Sequence, residues 1–173
     1  MTILKKIKWP ALHQPAPGFV RVLLAGVLVL TFATGHAQSR SFVEKFRPLA
    51  DSLSAVYGIP TAVILGVSII ESASGTSRNC KLLNNYFGIV GKNNLMHTRK
   101  IRTRYKQYPD ATASFTHFCQ VQSRKKYYKK LKGNMNYKIW LDHMSRNGYS
   151  EVPAVWKQRV TAAIIQNKLS VSR

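Results

Sequence analysis

The chain has 173 residues, room for one domain with a core large enough to fold unaided. Its 27 Lys and Arg against six Asp and Glu give a formal net charge of +21. A field of that sign restricts the partners to polyanions: nucleic acid, anionic lipid head groups or an acidic polymer.

The first 37 residues stand apart from the rest. Lys5, Lys6, Lys8 and Arg21 precede a 12-residue apolar stretch, Val22–Ala33, and Gly35-His36-Ala37 then sets small residues before Gln38. This is the pattern of a cleaved secretory signal over residues 1–37. An uncleaved anchor is the rival reading, but a helix needs about 20 apolar residues to cross a bilayer. The expected mature protein is therefore exported, periplasmic or secreted, starts at Gln38, and has no stable membrane insertion. Four of the cations and none of the acids leave with the leader, so the remainder carries +17. Export sets nucleic acid aside and leaves cell-wall polymer, with its carboxylates, as the polyanion to consider.

In chain order, Ser41 is placed to cap a helix to about Tyr57, with Phe42, Phe46, Leu49, Leu53 and Val56 at helical spacing. Gly58 ends it, and Pro60 opens a second helix that is apolar on nearly every side, the run TAVILGVSII (Thr61–Ile70). Gly75 and Asn79 break this helix. Asn84–Gly88 reads as a short helix or turn. From Ile89 to Tyr108, β-branched and basic residues alternate around Gly91-Lys92-Asn93-Asn94, which predicts a small β-hairpin, with a surface loop as the alternative. Asp110 caps a helix to about Gln122 that buries Ala113, Phe115, Phe118 and Val121. The basic run Arg124–Gly133 fits a solvated helix face. A helix over Asn136–Arg146 stops at Asn147-Gly148, and Pro153 opens the last helix, with Val155, Val160, Ala163, Ile164 and Leu169 inward.

Glu71 closes the apolar run and is the only carboxylate between Asp51 and Asp110. On the last turn of a buried helix, desolvation raises a carboxyl pKa and favours the protonated form. Such a group can donate a proton to a glycosidic oxygen. An acid pairing with one of the chain's many cations fits the same pattern. Four blocks then follow in order: Glu71-Ser72-x-x-Gly75, the stretch CKLLNNYFGIVG (Cys80–Gly91), the stretch KQYPDATASFTHF (Lys106–Phe118), and NGYSEVPAVW (Asn147–Trp156). Together they resemble the glucosaminidase domain of glycoside hydrolase family 73, over roughly Phe42 to Leu169 within a domain of residues 38–173.

The resemblance implies an α+β, predominantly helical, lysozyme-like fold with a small β-hairpin lobe. It also implies hydrolysis of the β-1,4 bond after N-acetylglucosamine in peptidoglycan, with Glu71 as general acid. Tyr149 stands in the family's tyrosine position, where it would orient the substrate acetamide. Asn84, Asn85, Tyr86, Phe87 and Gly88 are the expected substrate-binding block, and a structural role in a turn and its packing fits them as well. Glycosidases usually use two carboxylates, yet Gly88–Pro109 holds six cations and no acid. The substrate's own 2-acetamido group is a known substitute for the missing one. An N-acetylmuramidase, a lytic transglycosylase on the same fold, and a non-catalytic binder of wall glycan remain as alternatives.

Cys80 and Cys119 either pair, closing a loop of about 40 residues, or pack as small hydrophobes. His97, His117 and His143 show no ligand spacing with them, so neither metal nor cofactor is expected. The protein is expected to act as a monomer.

Overall fold

The computed structural model describes residues 17–170, with side-chain surroundings from Ala37 onward. The expected leader therefore falls largely outside the described side chains. A compact unit begins at Ala37 and runs to the C-terminus. Eight helices form the described chain: α1 (Pro17–Tyr57), α2 (Thr61–Ser72), α3 (Arg78–Leu83), α4 (Leu95–Arg99), α5 (Ala111–Ser123), α6 (Tyr128–Leu131), α7 (Tyr137–Arg146) and α8 (Pro153–Gln166).

The centre is α2, buried from Ala62 to Ile69. It packs chiefly on α8, with α7 beside both. Gly66 makes that approach possible, since a Cβ there would lie 2.6 Å from Ile164 Cγ1. The C-terminal part of α1 supplies Phe42, Val43, Phe46, Ala50 and Leu53 to the same core. Ser39 Oγ ties this end to α8 by donating to Asn167 Oδ1 at 2.8 Å. A second layer is aromatic: Phe87 stacks on Phe118 at 4.2 Å between ring centroids, and Phe46 stacks on Phe115 at 5.0 Å.

Several expectations are met residue by residue. Asp110 caps α5 by accepting from Ala113 N at 2.8 Å, the helix expected over Asn136–Arg146 is α7, and Pro153 occupies the first turn of α8. Others are corrected. Ser41 caps nothing, because α1 runs through it; a serine that could cap can equally sit on an exposed helix face. Asn79 lies inside α3, and the cap is Ser77, which accepts from Cys80 N. Val56 and Val155 are exposed at 67% and 53%, and Ala113 and Val121 are only half-buried.

The hairpin is absent among the described residues. Between Ile89 and Tyr108 the backbone makes one isolated antiparallel bridge, Val90 with Tyr105, and the short helix α4 interrupts the segment. Three backbone bonds join its arms, from Gly91 N to Arg104 O, Lys106 N to Ile89 O and Gln107 N to Lys92 O, and Asn93 Nδ2 adds bonds to the carbonyls of Thr103 and Tyr105 at 3.0 and 2.9 Å. The α+β expectation thus gives way to a mostly helical fold. The cysteines do not pair either. Cys119 is sealed in the main core, whereas Cys80 lies against Ser72 and Tyr86, so each packs separately as a free thiol. Among the described residues no helix is long and apolar enough to cross a membrane.

Candidate active site

Glu71 emerges on the last turn of α2, half-buried, where the helix ends at Ala73 in a left-handed conformation. Its neighbours up the helix are carbon, and the two nearby hydroxyls turn away from it. Ser68 and Ser72 donate back to the carbonyls of Leu65 and Ser68, which keeps the helix interior free of unpaired groups. Burial is the largest influence on Glu71 and raises its pKa. An indole hydrogen bond and the charge of Arg159 partly oppose it. The opposing cation comes from α8 rather than from the basic segment before α5.

The indole belongs to Trp156. Its Nε1 donates to Glu71 Oε1 at 2.9 Å, so one carboxylate oxygen is fixed and the other is left for chemistry. That free oxygen, Oε2, faces Gly88: a Cβ built on Gly88 would stand 3.4 Å from it. Gly88 has φ +65, a left-handed conformation that glycine adopts without strain. The block around residue 88 and the acid are therefore brought together, as the motif order suggests.

Tyr149 joins them from the turn between α7 and α8. Its ring lies 4.7 Å from that of Trp156 and edge-on to Phe118, and its backbone N–H donates to Met144 O. Although the residue as a whole is half-buried, its hydroxyl oxygen is sealed from solvent and has no hydrogen-bond partner in the protein. Burial, with Glu71 and Tyr127 nearby, holds this hydroxyl well above the usual tyrosine range. It is a neutral O–H donor with nothing to donate to. The amide Nε2 of Gln122 is the other such atom among the described residues.

The rest of the expected binding block is built into the framework. Asn84 ends α3 in a left-handed conformation and donates to the carbonyls of Tyr108 and Pro109. Asn85 is buried; its Nδ2 donates to Ile89 O and Lys106 O, and its Oδ1 accepts from the N–H groups of Phe87 and Ile89. Phe87 is core, and Tyr86 packs half-buried against Phe42, Phe46 and Phe115. Sequence reasoning gave Trp156 no role. The signal was the register of α8, in which Trp156, Val160, Ala163 and Ile164 fall on one face and Val155 does not.

Several solved structures share this architecture. The catalytic domain of the autolysin Auto (Lmo1076) from Listeria monocytogenes matches with a TM-score of 0.64 and 19% identity, over 77% of this chain and 86% of that one. A C-terminally truncated glycoside hydrolase domain of Salmonella typhimurium FlgJ matches at 0.60 and 17%, over 78% and 99%. A peptidoglycan hydrolase from Sphingomonas sp. A1 matches at 0.56 and 17%, over 78% and 96%. At these identities the likeness shows the fold. Family follows from the sequence itself: the model for glucosaminidases, described as mannosyl-glycoprotein endo-beta-N-acetylglucosaminidase, matches residues 47–169. The chain belongs to that family, glycoside hydrolase family 73, and is by family a peptidoglycan hydrolase. No curated protein matches it in sequence.

Proposed function

We propose that the protein is an exported endo-β-N-acetylglucosaminidase that cleaves the β-1,4 bond after N-acetylglucosamine in peptidoglycan, with residues 1–37 as its leader. The observation that carries this reading is the setting of Glu71. Burial favours its protonated form, Trp156 holds one oxygen, and the other opens beside a glycine where chain or ligand can come close. Protonated Glu71 donates to the glycosidic oxygen as the bond to the anomeric carbon breaks.

The other five carboxylates have their own positions. Glu44 pairs with Arg40, Asp51 accepts from Thr61, Asp110 caps α5, Asp142 pairs with Lys157, and Glu151 is exposed. None is a built partner for Glu71, which favours the 2-acetamido group as nucleophile. Its carbonyl oxygen attacks the anomeric carbon and gives an oxazoline. Water then opens the ring, losing its proton to the Glu71 carboxylate. In this reading Tyr149, packed on Trp156 beside Glu71, orients the acetamide once substrate uncovers its sealed O–H. Gly88 admits the sugar; Asn84, Asn85, Tyr86 and Phe87 shape the turn that carries it.

The test is digestion of purified peptidoglycan by the mature protein, with mass spectrometry of the borohydride-reduced ends. Reduced N-acetylglucosamine ends are expected, with Glu71→Gln lowering the rate roughly a hundredfold or more. A single acid without a carboxylate partner also suits a lytic transglycosylase, and 1,6-anhydromuramyl products would assign that reaction instead. Reduced N-acetylmuramic acid ends would make it a muramidase. Intact strands that still bind the protein would make it a wall binder.

A further inference from the structure

The charge following Glu71 is one-sided. Between Glu71 and Asp142 the sequence holds 15 Lys and Arg and one acid, Asp110, whose carboxylate is committed to capping α5. Among the described residues the ion pairs are Arg40–Glu44 and Lys157–Asp142, so no described carboxylate pairs with these 15 cations.

One of them, Arg104, lies over Tyr105, a residue that approaches the site. Its guanidinium carbon lies 5.9 Å from the ring centroid of Tyr105. Tyr105 in turn meets Gly88: its Cε1 is 3.9 Å from the point where a Gly88 Cβ would be, the same point that lies 3.4 Å from Glu71 Oε2. A second cation reaches the site from α8. Arg159 is exposed and sits one turn beyond Trp156, whose indole holds Glu71, and its charge acts on that carboxylate. Two guanidinium groups with no acidic partner among the described residues thus flank the site: Arg159 acts on Glu71 from α8, and Arg104 lies beyond Tyr105 on the Gly88 side. A guanidinium presents a rigid fork of donors that matches a carboxylate. A neutral sugar offers it hydroxyls but no charge to pair with.

We propose that Arg104 and Arg159 bind carboxylates carried by the glycan strand beside the scissile bond, so that the site selects acidic glycan over neutral glycan of the same linkage. The proposal rests on the glycosidase reading of Glu71 and adds the substrate charge to it. It also accounts for Arg159, a cation placed where it opposes the burial that a general acid requires.

The experiment uses peptidoglycan sacculi and the same sacculi with their carboxylates converted to amides by carbodiimide and ammonium. Wild type is expected to cut untreated strands with KM roughly five- to tenfold lower, the size fitting two exposed charge contacts. The double variant Arg104→Gln/Arg159→Gln is expected to lose that difference. Lys129→Gln/Lys130→Gln, which removes the same charge from α6, is expected to keep it. Equal KM on both polymers for wild type overturns the proposal, and so does an equal loss in the α6 variant, which would make the effect one of bulk charge. Co-sedimentation of the Glu71→Gln protein with the two polymers reads the same preference without cleavage. If wild type cuts neither polymer, the glycosidase reading fails by itself, and retention on untreated over amidated sacculi still decides the role of the arginines.

Discussion

At the scale of single residues, the site is a contest over one proton. In the proposed reaction Glu71 must be protonated to act, and burial raises its pKa against the indole N–H of Trp156 and the charge of Arg159. Both opponents stabilise the carboxylate, so removing either moves the pKa further up. Activity that needs the acid form is lost as pH rises through that pKa, so the alkaline limb of kcat/KM reports it. Trp156→Phe keeps an aromatic ring against Tyr149 and removes the donor. Its alkaline limb is expected at higher pH than wild type, measured at fixed ionic strength. A limb that moves to lower pH would mean that Trp156 raises the pKa by excluding water more than its hydrogen bond lowers it.

At the scale of elements, the helix contacts decide whether the acid is held in place. Gly66 lets α2 and α8 close, and α8 brings Trp156 to Glu71. In an exposed helix Gly→Ala would stabilise by about 1 kcal/mol. Here the added methyl would meet Ile164 Cγ1 at 2.6 Å and Val160 Cγ1 at 3.3 Å, and both neighbours are fully buried. Overpacking of this kind costs about 1–3 kcal/mol. Gly66→Ala is therefore expected to lower the urea midpoint, with activity falling as α8 is displaced. An unchanged midpoint would mean that α8 shifts without loss. The same elements show what the sequence made legible. The place of Glu71, the cap at Asp110 and the first-turn Pro153 were readable because each is a local signal: an acid ending an apolar run, a side chain that can accept, a ring without an N–H. The hairpin was misread because alternating Thr, Ile and Arg fits a strand locally, whereas here α4 interrupts the pairing after three backbone bonds and one bridge, and Asn93 and Asn85 side chains hold the rest. Tyr149 was readable only through the family motif. Its lack of a hydrogen-bond partner is a property of packing from α5, α7 and α8 together, and no single segment records it.

At the scale of the whole molecule, charge acts on stability and on binding with opposite signs. An excess of 27 cations over six acids repels itself in the folded state, where the charges are closer together than in the unfolded chain. Added salt screens that repulsion, with a Debye length of about 10 Å at 0.1 M. The same screening weakens attraction between the surface and an anionic wall. Raising NaCl from roughly 0.02 to 0.3 M, across which that length shortens several-fold, is therefore expected to raise the thermal midpoint while lowering retention on sacculi. Protein and polymer would be measured in the same buffers, by thermal melts and co-sedimentation. Were both quantities to fall together, salt would be unfolding the protein rather than screening its contacts. Were retention to hold while the midpoint rose, sugar contacts rather than charge would anchor the protein to the wall. The predicted divergence needs unpaired cations on the surface, and the two ion pairs among the described residues leave nearly all of them so.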